Sequence, residues 1–233
     1  MHSSPKARAP AVRVTIPFLL PQLHIGTDIC HVPRIYAILC KPATPSRVAA
    51  KTPTLKQSAA SRFIRRVLTP HEIDALGRVT DDTSAPPPTM SARAAVAWLA
   101  RGRTLPTPAI GTASAKLPDT HGPLWRAAQF LAGRFAAKEA AIKAHPHLRG
   151  LTLQDVWIAR RGDGEVAERR GNAHATDQEY LARKGTGPPL AFVRVSSTTT
   201  PEACVIMEQE ARISISHDGD YASAVCLGVE RTP

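Results

Sequence analysis

The segment from Trp125 to Ala144 restricts the fold more than any other part of this chain. It is rich in alanine and free of proline, and Gly133 is its one glycine, so it predicts a single uninterrupted helix. Apolar side chains recur along it at helical spacing, at positions 127, 128, 131, 135 and 142. We therefore expect one long helix in the middle of the chain.

Strand-forming segments dominate the C-terminal half. They are Thr152 to Ala159, Leu190 to Val195, Ala211 to Ser216 and Ala222 to Val229. The tripeptide Asp218-Gly219-Asp220 supplies a turn between the last two. A further strand is predicted from Leu23 to Ile29, where Leu23, Ile25, Thr27 and Ile29 alternate with His24, Gly26 and Asp28.

Shorter helices are predicted in the N-terminal half. One covers Pro33 to Leu39 and another covers Ser58 to Leu68. A capping box at Thr69-Pro70-His71-Glu72 begins the next helix, with a threonine cap and a glutamate three residues later. Capping alone explains Thr69 and Glu72. A short helix is also predicted from Ser91 to Arg101.

One domain is expected from residue 23 to residue 230, because 233 residues suffice for a single core with tails and insertions. Much of the proline lies outside the periodic segments and marks loops. We expect loop insertions near 41–57, 77–124 and 160–187. Residues 1–22 are interpreted as a disordered or targeting tail.

The N-terminal tail leaves two locations open, mitochondrial and cytoplasmic. Residues 1–27 contain Lys6, Arg8 and Arg13 and no acidic residue, which is typical of a mitochondrial transit peptide. Prolines at positions 5, 10 and 17 interrupt any amphipathic helix there, which suits a plain disordered tail equally well. The mitochondrial location is favoured.

Composition restricts the class of partner. The 30 basic and 19 acidic residues give a net charge of +11, which favours acidic partners and polyphosphates. A basic nucleic-acid-binding protein, such as an organellar ribosome-associated one, is the alternative. Aromatic residues make up only 5% and are not interleaved with basic ones, so stacking platforms for bases are missing. No apolar run reaches the roughly 18 residues of a membrane-spanning helix, and we expect neither nucleic acid nor membrane as a partner.

The cysteine and histidine patterns predict no metal site. Cys30, Cys40, Cys204 and Cys226 form no CxxC pair, so neither a zinc knuckle nor a disulfide framework is indicated and a reducing compartment is expected. His121, His145, His147 and His174 lack ligand spacing backed by a second cluster. Phosphate-binding glycine motifs of the P-loop and Rossmann types do not occur between a predicted strand and a predicted helix.

Four separated motifs carry most of the functional information. They are HIGTDI at 24–29, FIRRVLTPHE at 63–72, FLAGRFAAKEAAIKA at 130–144, and ISISHD at 213–218 followed by Tyr221 and Ala222. In this order they resemble the holo-acyl-carrier-protein synthase family of 4'-phosphopantetheinyl transferases. Each motif is modest alone, but the ordered set is specific. The motifs cover about half of the chain.

The resemblance implies an α+β fold in which a long central helix packs on a small antiparallel sheet. It also implies an enzyme that moves 4'-phosphopantetheine from coenzyme A to a serine of an apo acyl carrier protein. The products are holo-carrier protein and adenosine 3',5'-bisphosphate, and the pathway is fatty acid biosynthesis and lipid metabolism. Small stand-alone members are homotrimers with active sites at subunit interfaces. An inactive member that serves as a partner subunit is a further alternative, which the intact carboxylates and lysine disfavour.

The helical spacing agrees with a metal site. Glu139 and Lys143 lie one turn apart on one face, with Phe135 one turn behind. A carboxylate beside an aromatic ring favours a neutralising cation, and magnesium is commonly held by one or two carboxylates. The resemblance assigns Mg²⁺ to Asp28 and Glu139, and places Lys143 on the diphosphate. The simpler alternatives are a turn aspartate and an exposed ion pair between Glu139 and Lys143.

Other residues receive roles from the resemblance alone. Arg134, Lys143 and His217 match positions that contact the nucleotide phosphates of coenzyme A, and Arg34 matches an arginine that faces the acidic carrier protein. Arg134 and Lys138 could instead simply solvate the helix, and His217 could be a turn histidine. The segment Ala144 to Gly150 departs from the family, which usually has a glycine-containing turn there. The catalytic residues expected are Glu139 and Lys143, and the base that activates the serine stays open.

Overall fold

The computed structural model describes residues 23–41, 58–77, 90–105, 122–160, 187–199 and 204–230. The elements are β1 Leu23–His31, α1 Val32–Leu39, α2 Ala59–Val67, α3 Pro70–Gly77, α4 Ala92–Ala100, α5 Pro123–Lys143, β2 Val156–Arg160, β3 Pro189–Thr199, β4 Cys204–Asp218 and β5 Tyr221–Val229. The predicted tail at 1–22 lies outside the described residues, and so do most of the insertions predicted near 41–57 and 160–187.

Helix α5 is the centre of the fold, as the alanine-rich segment predicts. Pro123 stands in its first turn, where a missing backbone N–H costs nothing, and the helix ends at Lys143. Its buried surface is mostly alanine, so the helix axis can approach the sheet closely. The predicted α+β class, with a long helix on an antiparallel sheet, is confirmed.

The sheet has five strands in the order β1-β5-β4-β3-β2, and every neighbouring pair is antiparallel. The predicted turn between β4 and β5 is confirmed, and Gly219 occupies it with a φ of 51°, a value that favours glycine. Strand β2 begins later than predicted because Asp155 accepts hydrogen bonds from the Thr152 backbone N–H and hydroxyl, which folds residues 152–155 into a turn.

The smaller helices complete the core on the α5 side of the sheet. Ser58 and Ser91 cap α2 and α4 through their hydroxyl groups, which accept hydrogen bonds from the Ser61 and Ala94 backbone N–H groups. Helix α4 falls within the insertion predicted for 77–124, and it packs on α5 with a run of buried residues from Ala95 to Ala100. This part of the segment therefore contributes to the hydrophobic core.

The two faces of β1 lie in different environments. The apolar face predicted from the alternation is the outer one, and Ile25 and Ile29 are each 65% exposed. The face with His24, Gly26 and Asp28 packs towards α5. Glycine and other small residues on this inner face give the helix room, which explains why the apolar residues point outwards.

The described residues also show the state of the cysteines and whether any helix could span a membrane. Cys30, Cys40 and Cys226 carry free thiols. Burial raises the pKa of the Cys226 thiol to about 12, so this thiol stays protonated at physiological pH. In this part of the chain, no helix combines the length and the apolar composition needed to cross a bilayer.

Candidate active site

The candidate site lies where β1 passes the C-terminal half of α5. A Cβ atom at Gly26 would collide with the backbone carbonyl of Ala140, so only glycine permits this close approach. Asp28 is two residues further along the same face of β1. Glu139 and Lys143 directly precede Ala140 and Ala144, the two helix residues that Gly26 touches. The close approach therefore brings the three predicted residues to one place.

Asp28 and Lys143 form an ion pair. Lys143 Nζ lies 2.7 Å from Asp28 Oδ1 and 3.1 Å from the carbonyl oxygen of Thr27. The Asp28 side chain is only 16% exposed, whereas the Lys143 side chain is 52% exposed. Lys143 thus pairs with the strand and not with Glu139 on its own helix. The simpler interpretation, an exposed ion pair between Glu139 and Lys143, is not what the structure shows.

Glu139 is half-buried on the turn before Lys143. Among the described residues it has no ion-pair partner. Arg34 lies near this end of the site, since its guanidinium stands 5.7 Å from the centroid of the Phe135 ring, one helical turn from Glu139. The exposed Arg34 also approaches Cys30, with Nη2 to Sγ at 4.0 Å. The site therefore carries a carboxylate pair with one lysine and one arginine beside it.

The neighbouring thiol stays neutral. Burial raises the pKa of Cys30, and the positive charge of Arg34 only partly opposes this effect. Cys30 is accordingly a packing residue here and has no thiolate character at physiological pH.

His217 lies at the other end of α5. Its Nε2 atom is 3.0 Å from the backbone carbonyl oxygen of Gln129. A Cβ atom at Gly133 would come within 2.8 Å of the same nitrogen, so the glycine makes room for the imidazole. The exposed His217 is thus packed on the helix and is held by it, and not by the aspartates of its own turn.

Arg134 lies on a different side of α5. Its Nη1 atom donates a hydrogen bond of 2.7 Å to the carbonyl of Ile158 on β2, and its guanidinium stands 5.1 Å from the Phe130 ring. Asp28, by contrast, belongs to β1, at the opposite edge of the sheet. Within one chain, Asp28 contacts Lys143, with Glu139 and Arg34 near them, whereas Arg134 contacts β2 at the opposite edge of the sheet and His217 lies on β4, two strands from β1.

The position of Lys138 contradicts the alternative that its side chain simply solvates the helix. Its side chain is fully buried, and Nζ lies 2.6 Å from Glu72 Oε2 and 3.0 Å from the carbonyl oxygen of Leu153. Glu72 also accepts hydrogen bonds from the Thr69 backbone and hydroxyl and from the Ile158 backbone. Capping therefore explains only part of what Glu72 does.

Burial lowers the pKa of Lys138, and the Glu72 carboxylate opposes that shift. The pair connects α3, α5 and β2 and so fixes the helix that carries the candidate site. Sequence reasoning misses this contact because its partners are 66 positions apart. The sequence signal that could have revealed this buried pair is a single lysine on an otherwise apolar helix face.

Comparison with known proteins now decides the family. No protein-family model matches the chain. The chain is 32% identical over 213 residues to 4'-phosphopantetheinyl transferase B, mitochondrial, from Aspergillus fumigatus, and the match covers 91% of this chain and 96% of that protein. The chain belongs to the 4'-phosphopantetheinyl transferase family. The resemblance of the four motifs to these transferases is confirmed.

Solved structures of transferases of this type also resemble the chain. A holo-(acyl-carrier-protein) synthase from Bacillus anthracis in complex with coenzyme A (3',5'-ADP) is 16% identical, with a TM-score of 0.38 over 89% of this chain and 96% of that one. A holo-acyl-carrier-protein synthase from Plasmodium yoelii is 17% identical, with a TM-score of 0.41 over 91% of this chain and 97% of that one.

Proposed function

We propose that this protein transfers 4'-phosphopantetheine from coenzyme A to a serine of an apo acyl carrier protein, releasing adenosine 3',5'-bisphosphate. The observation that carries the proposal is the junction of β1 and α5, where Asp28 meets Lys143 beside Glu139. The family membership supports the same reaction type. Two carboxylates and a lysine in one place suit the binding of a diphosphate with a divalent cation.

Magnesium fits the donor chemistry of this place. Asp28 and Glu139 offer carboxylate oxygens, which Mg²⁺ prefers, and would hold the ion. Asp28 is mostly buried, and its negative charge is offset by the Lys143 ammonium group. When bound, Mg²⁺ would offset negative charge on the diphosphate and on the departing nucleotide. With the metal held there, Lys143 would be free to leave Asp28.

The residues of the chain then have distinct roles. The half-exposed Lys143 can turn from Asp28 to the diphosphate of coenzyme A as a point charge. The serine oxygen attacks the phosphorus nearest pantetheine, and the bond from that phosphorus to the bridging oxygen breaks. The half-buried Glu139 can accept the serine proton as a general base if its second carboxylate oxygen is free. Glu139 and Lys143 are accordingly the proposed catalytic residues.

Arg134 and His217 are proposed to bind the nucleotide phosphates, because an arginine fork suits a phosphate dianion. Arg34 is proposed to face the carrier protein. It is exposed at the mouth of the site, and the net charge of +11 favours an acidic partner of this kind.

We further propose that the protein is a homotrimer that buries the outer face of the sheet. This face exposes Ile25, Ile29, Tyr221, Val225 and Leu227. An apolar surface of this extent on one sheet face is typical of a protein interface. Since Arg134 and His217 lie apart from Asp28 within one chain, a site shared between subunits would let the two sets act on one coenzyme A molecule.

A mitochondrial carrier protein of fatty acid biosynthesis is the proposed acceptor. Support comes from the basic N-terminal residues, which include no acid up to position 27, and from the mitochondrial name of the Aspergillus relative. Loss of the N-terminal residues on import, followed by mass spectrometry of the mitochondrial form, would test the location.

The proposed reaction is tested by the intact mass of a carrier protein. Apo acyl carrier protein is incubated with the full chain, coenzyme A and Mg²⁺, beside a sample that contains a chelator. We expect a metal-dependent gain of roughly 340 Da, the mass of one phosphopantetheine group. No gain with mitochondrial or bacterial carriers, from a protein shown to be folded, would overturn the proposal and favour the nucleic-acid-binding alternative.

A further inference from the structure

A cluster of side chains outside the candidate active site has the composition of a metal site. His24, His147 and Glu230 each bring one ligand atom to within 4.8 Å of the other two. The His24 and His147 rings are 6.1 Å apart between centroids. The three residues come from β1, from the loop after α5 and from the position directly after β5.

Backbone packing explains why these distant residues meet. In the sheet, His24 of β1 stands opposite Gly228 of β5, which places Glu230 near the start of β1. A Cβ atom at Gly228 would collide with the backbone of Ala144 and approach the His145 ring. Glycine therefore lets the loop after α5 lie directly on β5, and this loop carries His147 to the other two residues.

The distances suit a tetrahedral transition metal. His24 Nε2 and Glu230 Oε2 are 3.2 Å apart. Ligand atoms about 2.0–2.1 Å from a tetrahedral Zn²⁺ stand about 3.3 Å from each other. These two atoms already have the separation of one edge of such a tetrahedron. The ligand atom of His147 lies within 4.8 Å of both and supplies the third corner.

Two neighbouring imidazole nitrogens lack a partner. His147 Nδ1 and His145 Nε2 are buried and have no hydrogen bond within the part of the chain that the structure describes. His145 is fully buried, its Nδ1 atom lies 2.7 Å from the carbonyl oxygen of Ala141, and its ring centroid is 5.7 Å from that of His147. Buried polar atoms without partners are rare and call for a cause. A cation at the adjacent cluster would orient both rings.

We propose that His24, His147 and Glu230 bind one divalent transition-metal ion, best Zn²⁺, with the fourth position open to water. Two imidazoles and one carboxylate are a ligand set that zinc accepts in proteins. The inference is independent of the proposed transferase reaction, because it concerns other residues and another metal.

The two metal sites differ in chemistry and in position. Asp28 and Glu139 offer only oxygen atoms, which Mg²⁺ prefers, whereas the cluster offers imidazole nitrogen, which favours zinc. His24 and Asp28 lie on the same face of β1, four residues and about 13 Å apart. Zinc in the cluster would join β1, the end of β5 and the loop after α5, and would so fix the end of α5 that carries Lys143.

The test measures zinc bound to the untagged full chain. Chelator-treated protein is dialysed against buffered Zn²⁺, and the bound metal is counted; Co²⁺ in place of zinc reports geometry through its visible spectrum. We expect one zinc per chain and a tetrahedral Co²⁺ spectrum. In His147→Ala, and in the milder Glu230→Gln at the end of β5, we expect zinc affinity to fall about 10-fold or more.

Matched controls distinguish this site from others. His31→Ala removes a histidine from the same strand but from its opposite face, and Asp28→Asn removes a carboxylate of the candidate active site; both should keep the zinc. Each variant is first shown to be folded by circular dichroism. If His147→Ala and Glu230→Gln bound zinc as tightly as the wild-type chain does, the proposal would be overturned. So would the absence of zinc binding, or its loss in Asp28→Asn alone.

Discussion

At the scale of single residues, the ion pair between Asp28 and Lys143 determines how the site can act. A mostly buried carboxylate needs a positive partner, and Lys143 provides it at 2.7 Å. A bound magnesium ion would take over that role, and Lys143 would then be free to bind phosphate. Under the proposed function, the pair would keep the site ready for the diphosphate and the metal ion.

Replacement of Lys143 by methionine should weaken the binding of coenzyme A. A charge-assisted contact is worth about 1.5–3 kcal/mol, so we expect the Kd to rise about 10- to 100-fold. Isothermal titration calorimetry in the presence of Mg²⁺ measures this change. Lys41→Met removes an exposed lysine outside the site and serves as the control. An unchanged Kd in Lys143→Met would argue against contact with the phosphates.

His145 should make stability depend on pH. Burial lowers its pKa in the folded protein, and the nearby His24 and His147 lower it further, although the Ala141 carbonyl opposes this. As the pH falls below about 6.5, the unfolded chain takes up a proton at this position before the folded chain does. The free energy of unfolding should therefore decrease from pH 6.5 downwards.

Urea denaturation at several pH values, with a chelator present, measures this effect. The decrease towards acid should be smaller in His145→Leu, which cannot titrate at this position. Because other groups also contribute to the pH profile, only the difference between the two proteins is informative. Parallel pH profiles for both proteins would show that His145 does not contribute.

At the scale of elements, the buried pair of Glu72 and Lys138 holds α3, α5 and β2 together. Glu72 has further donors in the Thr69 backbone, the Thr69 hydroxyl and the Ile158 backbone. Within the described part of the chain, Lys138 has the Leu153 carbonyl as its one hydrogen-bond partner besides Glu72. Lys138 consequently depends on Glu72 more than Glu72 depends on Lys138.

Removal of Glu72 should therefore cost more stability than removal of Lys138. Glu72→Gln leaves a buried ammonium group without its counter-charge, for which about 3–5 kcal/mol is typical. Lys138→Met should cost less, and the double variant should recover part of the loss. Urea unfolding of both single variants, the double variant and Lys41→Met gives the comparison. Strictly additive effects would contradict direct coupling between the two side chains.

Much of the element pattern follows from the sequence because it depends on local signals. The alanine-rich helix, the capping box at Thr69 and the turn at Gly219 need only residues close in the chain. The motifs likewise predict Asp28, Glu139 and Lys143 as site residues, and the structure places Asp28 and Lys143 in contact. By contrast, the buried pair of Glu72 and Lys138 depends on the tertiary packing of distant segments.

The face of β1 that meets α5 is also beyond the sequence pattern. Alternation shows two faces but does not say which one packs on the helix. The glycine at position 26 decides it here, because the helix backbone lies against that residue. The cluster of His24, His147 and Glu230 escapes sequence reasoning for a similar reason, since its residues meet through the pairing of β1 with β5 and the packing of the loop after α5 on Gly228.

At the scale of the whole molecule, two features support the proposed trimer: the exposed apolar outer face of the sheet and the separation of Arg134, a proposed phosphate-binding residue, from Asp28. A single chain exposes apolar residues such as Ile25 and Ile29 and holds Arg134 near β2, away from Asp28. A trimer with shared sites would account for both features. Each site would then take its carboxylates from one subunit and its phosphate-binding arginine from the next.

Mixed trimers test this arrangement. Asp28→Asn and Arg134→Ala chains, each inactive alone, are co-expressed with different tags, and assemblies that carry both tags are purified. In a closed ring of three subunits with shared sites, one site in three combines intact residues, so about a third of the wild-type rate should return. Wild-type chains with both tags provide the reference. Background activity in the mixed assemblies would show that each site uses only one chain.

The central claim is that Asp28 and Glu139 hold the magnesium ion that the transfer requires. The most direct measurement is the initial rate at which carrier protein gains phosphopantetheine mass, followed over a range of Mg²⁺ concentrations. For Asp28→Asn and Glu139→Gln the account predicts a fall of about 100-fold or more at equal folding, while Asp74→Asn, an exposed carboxylate on α3, keeps the wild-type rate. Near-normal rates in either site variant, with an unchanged dependence on Mg²⁺, would contradict it.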